Sequence, residues 1–426
     1  MIKFALQQDE TEAAPAATPE RDQHIAPVPR ISVQAFCESA DTAAAMQAAA
    51  EDRRMAKAHL KVQMGAIPAA IEAFRNAPTP NVIILESSAG SDELLAGLDD
   101  LAEVCDAGTR VVVIGRLNDI LLYRELVRRG VSDYLIAPVA PLELVRTVSN
   151  LFTAPDAKPV GRTIAVIGAK GGVGASTIAH NVSWAIARDL ELDSVVTDLD
   201  LPFGTAGLDF NQDPPQGIAD AVFSPDRIDT AFVDRLLSKC TDHLSLLAAP
   251  ATLDRVYDFG AEAFDAIFDV LRSTVPCIVL DVPHVWTGWA KRALISADDI
   301  LIVAAPDLAN LRNAKNLIDL LKQARPNDRR PYYCLNQIGI PKRPEIKPAD
   351  FAKALEAEPL ALIPFEPQIF GTAANNGQMI AEVAAGHKAT ETFLQMAQIL
   401  TGRMEAKRPR GGLLTPLLGK LVRRQG

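Results

Sequence analysis

The chain has 426 residues, 48% of them hydrophobic and 23% charged, which is long for one domain and comfortable for two, each able to bury its own core. A formal charge of −10 and a pI near 5.2 exclude a protein whose main business is gripping nucleic acid nonspecifically, and specific nucleic-acid recognition is not expected. Cys37, Cys105, Cys240, Cys277 and Cys334 stand singly, with no CxxC pair and no Cys/His cluster at metal-ligand spacing, so they read as reduced core residues. The N-terminus lacks the basic start and apolar stretch of a signal peptide, and no uncharged apolar run is long enough to span a bilayer. A cytoplasmic chain is therefore expected.

In chain order, residues 1–30 are rich in Ala, Pro and acidic groups without hydrophobic periodicity, the composition of a disordered leader. From Ile31 short apolar runs alternate with helical stretches. The runs ISVQAFC, LKVQM, NVIIL, RVVVIG and DYLIAP predict five strands, separated by segments such as AIPAAIEAFRNA and LLYRELVRRG. This is the rhythm of a doubly wound parallel sheet over residues 31–152. A Pro-containing polar linker follows at 153–162.

The rhythm resumes over residues 163–402. TIAVIG, SVVTDLD, LSLLAAP, PCIVLDVP, DILIVAAP, YYCLNQ and LALIPF predict seven strands of a larger α/β sheet. Residues 403–426 change character: Arg403, Lys407, Arg408, Arg410, Lys420, Arg423 and Arg424 face a single acid, Glu405. Leu413, Leu414, Leu417, Leu418, Leu421 and Val422 fall on one helical face, so the tail suits an anionic membrane surface, a protein partner or its own domain equally well.

The stretch AVIGAKGGVGASTIAHN, residues 165–181, departs from the phosphate-loop pattern GxxxxGK[ST], because Gly174 is followed by Ala175 and then Ser176. Its context is nevertheless that of a phosphate loop, between a buried strand and a helix. Gly171, Gly172 and Gly174, with Val173 among them, allow the backbone to curl so that successive N–H groups point inward, aided by the positive end of the following helix. Those donors do not depend on the side chain at 175. Ser176 is placed to ligate Mg²⁺ and Thr177 to reach an α-phosphate oxygen. The missing lysine removes a charge-assisted bond of roughly 1.5–3 kcal/mol, about ten- to a hundredfold in affinity. Lys170, earlier in the loop, offers another cation.

AKGGVGAST resembles the deviant phosphate loop of the ParA/MinD family, usually KGGVGKTT, in which the first lysine reaches across a nucleotide-sandwich dimer. The resemblance implies that role for Lys170 and puts Ala175 where the family's intramolecular lysine stands; Ala169 replaces the usual first glycine. VVTDLDLPFG resembles switch I, implying that Asp198 helps organise Mg²⁺ and that Asp200 positions the attacking water. CIVLDVP resembles the Walker B and switch II strand, implying Asp281 in the metal's outer shell. CLNQ resembles the strand end whose asparagine meets the adenine edge, here Asn336, and IPFEP resembles the base-contacting loop, here Pro364, Phe365 and Glu366. Each of these residues, taken alone, also has an ordinary role: strand-end aspartates cap helices, and a lone asparagine bonds backbone.

The first domain resembles a response-regulator receiver of flavodoxin-like fold with its phosphorylation pocket dismantled. Glu86 falls near the phospho-acceptor position, Gly115 stands for the usual Thr/Ser, and Ala137 replaces the lysine before Pro138. A docking or dimerisation role is expected instead of phosphorylation. A degenerate receiver joined to a ParA/MinD-like P-loop NTPase resembles the CpaE/TadZ family of tight-adherence (Flp, type IVb) pilus assembly. IPFEPQIFGTAANNGQMI, residues 363–380, also resembles that group. The resemblance implies an ATP- or ADP-binding homodimer, with Mg²⁺, that localises at a cell pole or envelope site. There it would recruit pilus components, including a separate secretion ATPase. Two other readings stay open: a partition-type ATPase moving cargo over DNA, and a nucleotide-free scaffold.

Overall fold

Why five short apolar runs make a sheet is visible in β3, Val82–Glu86, where every residue is buried, as a strand covered on both faces requires. In the computed structural model, which describes residues 25–153, 160–253 and 255–404, β3 lies at the centre of the first sheet. Its companions are β1 (Ser32–Cys37), β2 (His59–Met64), β4 (Arg110–Gly115) and β5 (Asp133–Ile136). All pair in parallel in the order β2-β1-β3-β4-β5, the flavodoxin-like winding. One apolar core, with Met46, Val145 and Val148, fills one face, and another, with Phe74, Leu94 and Leu126, fills the other.

Glu86 ends β3 and is 4% exposed. Its carboxylate accepts the N–H groups of Glu38 (2.8 Å) and Ser39 (2.9 Å) and the hydroxyls of Ser39 (2.7 Å) and Thr42 (2.9 Å). Burial pushes its pKa up, but these donors outweigh burial and hold it below the ordinary glutamate value. The side chain thus caps the helix Ala40–Ala50 from outside. At Gly115 an added Cβ would come within 2.2 Å of the Tyr134 hydroxyl, which donates to the Leu117 carbonyl at 2.9 Å. That close approach accounts for glycine there.

The second sheet has all seven expected strands: β6 (Arg162–Gly168), β7 (Ser194–Asp198), β9 (Leu244–Leu247), β10 (Cys277–Val282), β11 (Asp299–Ala304), β12 (Tyr332–Ile338) and β13 (Ala361–Pro364). An eighth, β8 (Ser238–Lys239), pairs antiparallel with β9 at the edge. Two residues are too few to show a period in sequence. The order is β13-β12-β11-β6-β10-β7-β9-β8, which places β6 between β11 and β10 and its carboxyl end at the centre of the sheet.

The two units meet through buried charge. Arg53, in the turn Arg53–Met55 of the first unit, donates through Nη1 to the Ser296 carbonyl (2.9 Å), Nη2 to Asp298 (3.0 Å) and Nε to Asp328 (2.7 Å). Arg54 adds a second bond to Asp328, and Asn327 Nδ2 donates back to Asp52 at 3.0 Å. Arg272 and Arg325 complete the cluster from within the second unit, on Asp298 and Asp328 respectively.

Of the residues read as leader, Ile25 and Val28 are buried in the first core, and the Val28 N–H donates to the Arg54 carbonyl at 2.8 Å. Leader residues 1–24, linker residues 154–159 and tail residues 405–426 lie outside the described residues. Among the described residues no helix is long and apolar enough to cross a membrane. Cys37, Cys277 and Cys334 are buried free thiols, and Cys105 and Cys240 are half-buried ones.

Candidate functional site

At the carboxyl end of β6 the chain turns through residues 169–174 into the helix Ala175–Arg188. Gly172 (φ +78°) and Gly174 (φ +83°) sit in the left-handed region, which a side chain would strain. Gly171 and Gly172 face open space, whereas a Cβ on Gly174 would come within 2.7 Å of Asn336 Nδ2.

Four side chains from three other places hold carbonyl groups of this loop and of the strand end before it. His284 Nδ1 donates to the Gly168 oxygen at 2.9 Å and Asn313 Nδ2 to the Ala169 oxygen at 2.9 Å. Gln337 Nε2 takes the Gly172 oxygen at 3.0 Å and Asn336 Nδ2 the Val173 oxygen at 2.8 Å. The amide N–H groups from Gly171 to Thr177, by contrast, donate to no acceptor among the described residues. With carbonyls tied back and seven consecutive amides unpaired at a helix N-terminus, the loop has the electrostatics of an anion cradle. Lys170 is exposed beside it and makes no ion pair among the described residues.

The acidic residues lie together below the loop. Asp198 and Asp281 end β7 and β10 as direct register partners. Asp198, 1% exposed, accepts the N–H of Asp200 (3.0 Å) through Oδ1 and that of Ala206 (3.1 Å) through Oδ2. An added Cβ on Gly204 would fall 2.3 Å from its carboxylate, so the segment after β7 closes tightly over it. Burial, with the Asp281 charge behind it, pushes the Asp198 pKa up to about 7. Asp200 is raised by burial as well, and its carboxylate accepts the Phe203 N–H at 3.2 Å. Asp281 faces His180, whose Nε2 stands 3.3 Å from Asp281 Oδ2.

Among the described residues no three His, Cys, Asp or Glu side chains converge on a metal-sized point. The donor set suits an ion that keeps water and phosphate ligands and takes one or two protein oxygens, the habit of Mg²⁺. Ser176, in the first turn of the loop helix, is half-buried at the cradle.

The remaining expected residues are spread along β12 and β13. The Asn336 amide nitrogen, at the end of β12, donates to the Val173 carbonyl and braces the loop. Phe365 donates its N–H to the Ile338 carbonyl at 2.8 Å and leaves its ring partly exposed beside Pro364. Glu366 pairs with His387 at 2.9 Å. Sequence reasoning missed His180, His284, Asn313 and Gln337. For His180 a signal existed: a titratable residue in a helix whose Ile178, Val182, Ala185 and Ile186 are apolar and buried.

No family model matches the chain. A solved structure titled as the pilus assembly protein CpaE of Caulobacter crescentus is 47% identical over 100% of its own length, covering 31% of this chain, with a TM-score of 0.30. The chain belongs to the CpaE pilus assembly proteins. A ParA family ATPase from Chlorobium tepidum matches over 56% of this chain and 98% of its own, with a TM-score of 0.51 and 24% identity, a likeness of fold. The curated septum site-determining protein MinD of Synechocystis is 29% identical over 164 residues, 38% of this chain. The chain spans 60% of that relative's length. CpaE membership agrees with the two-unit α/β architecture, in which a flavodoxin-like sheet precedes the sheet that carries the loop.

Proposed function

We propose that the protein is a nucleotide-dependent localisation and assembly factor for the tight-adherence pilus secretion apparatus. It binds ATP or ADP in the variant loop and acts as a homodimer whose nucleotide state controls docking of pilus components, the secretion ATPase among them. The observation that carries this reading is the run of unpaired amides from Gly171 to Thr177, each carbonyl strap turning backbone donors toward the cradle. Such a run supplies phosphate binding without the lysine that Ala175 replaces.

Within this reading Thr177 meets the α-phosphate and Lys170 a phosphate of the partner copy. Pro364, Phe365 and Glu366 border the base with Asn336, and Asp200 orients a water. Ser176 would ligate Mg²⁺, with Asp198 and Asp281 in its outer surroundings; the ion would offset phosphate charge. Turnover is slow or absent, because Ala175 offers no cation to the charge that builds on a transferring phosphoryl group. The tail from Arg403 gives a second, membrane-directed contact at a cell pole or envelope site.

Isothermal titration of the full chain with ATP and ADP, with and without Mg²⁺, beside a phosphate-release assay, tests the proposal. Binding of ADP is expected; its complete absence in wild type and in Ala175→Lys leaves a nucleotide-free scaffold as the reading. Pelleting with anionic vesicles, with and without residues 403–426, tests the tail, and equal pelleting of both forms removes the membrane contact.

A further inference from the structure

His180 has no role in the proposed function, yet it touches Asp209, Asp281 and Phe210 around the site. It lies one turn into the loop helix, three residues beyond Thr177, and is 1% exposed. Its Nδ1 donates to Asp209 Oδ2 at 2.7 Å, its Nε2 faces Asp281 Oδ2 at 3.3 Å, and its ring tilts against Phe210 with centroids 5.3 Å apart. Asp209 closes the short helix Ala206–Asp209, which follows directly on the segment after β7. That segment is therefore held twice: at its start by the bonds of Asp198 to the Asp200 and Ala206 N–H groups, and at its end by His180.

The loop helix is the element that would feel a bound phosphate first, since its N-terminal amides face the cradle. Three residues of helix are about 4.5 Å of axis, so His180 moves with the phosphate-binding turn as part of one rigid rod. A short bond to a buried imidazole transmits such a shift, because breaking it would leave the ring Nδ1 without a partner. Burial drives the imidazole toward neutrality, but Asp209 and Asp281 outweigh it and push its pKa up to about 10.

We propose that His180 is a positioning residue of the nucleotide site, and that its bond to Asp209 couples occupancy of the loop to the conformation of residues 199–209. The inference rests on the nucleotide-binding reading. Asparagine at 180 can set its amide near the position of Nδ1 and keep the Asp209 bond. Glutamine reaches instead toward the position of Nε2 and keeps Asp281. Asp209 is the partner that can be altered without disturbing the buried helix, since its side chain is 21% exposed.

The test is hydrogen exchange of peptides covering residues 199–209 in the full chain, with and without saturating ADP and Mg²⁺, with affinities measured by titration on the same samples. Wild type and His180→Asn are expected to show at least fivefold slower exchange on ADP addition. Asp209→Ala and His180→Gln are expected to bind ADP but lose that response. If Asp209→Ala binds ADP and responds as wild type does, the coupling is overturned while nucleotide binding stands. If wild type binds no ADP, the nucleotide reading and this inference fall together.

Discussion

Asn336 Nδ2 donates to the Val173 carbonyl at 2.8 Å, across 163 residues of sequence, and the same nitrogen lies 2.7 Å from where a Cβ on Gly174 would stand. The carboxyl end of β12 thereby fixes the shape of the phosphate loop. Asn336→Ala leaves a buried carbonyl unpaired at about 1–3 kcal/mol. We expect a lower unfolding midpoint and about tenfold weaker ADP binding. Gly174→Ala should be more damaging, because strain at φ +83° adds to the clash. Titration and thermal melts of both variants check this; wild-type affinity in Asn336→Ala would show the brace to be dispensable.

Restoring the lysine should strengthen the site. Ala175→Lys reinstates a charge-assisted bond of roughly 1.5–3 kcal/mol, so ADP affinity should rise about ten- to a hundredfold. Lys170→Ala should weaken ATP binding most under conditions where the protein is dimeric. Sedimentation velocity beside titration separates these effects, and unchanged affinity in Ala175→Lys would mean that the side chain at 175 does not reach the phosphates.

Arg53 is the centre of the joint between the units. Its side chain and that of Asp298 are each 6% exposed, and Asp328 is 5% exposed. Arg53→Met removes one arginine from each of two buried carboxylates, while Asp298 keeps Arg272 and Asp328 keeps Arg54 and Arg325, a loss on the order of 1–3 kcal/mol. Chemical denaturation should then show the two units melting separately where wild type melts in one transition. A single transition at the wild-type midpoint would contradict the clamp.

Glu86 gives the first unit a pH signature. Its folded pKa lies below the unfolded value near 4.3, so its contribution is full above that value and is lost as pH falls through the folded pKa. Glu86→Gln should cost about 1–3 kcal/mol at pH 7, since hydrogen bonds to a charged group are replaced by weaker ones. The difference from wild type should shrink as pH falls below the unfolded value and through the lowered folded one. Thermal melts across that range decide; a gap that stays constant would show that the charge does not matter.

Much of this protein is determined locally. The central strands of both sheets follow from apolar runs bounded by turns, because burial on both faces leaves a compositional mark in consecutive residues, while edge strands such as β2 are legible from the alternation with helices. The loop glycines are equally legible, since positive φ is a property of the residue itself. Tertiary structure alone decided the rest. Glu86 reads as a displaced phospho-acceptor in sequence and becomes a helix cap only when β3 is laid beside β1. His180 is legible as a titratable residue in a buried helix, but its partners are set only when β10 and the helix Ala206–Asp209 bring two carboxylates to it. Arg53 and Asp328 lie 275 positions apart. Side-chain pairs of that kind carry no local signal, because each residue is compatible with exposure until the fold removes its water and leaves the partner as the remaining source of compensation.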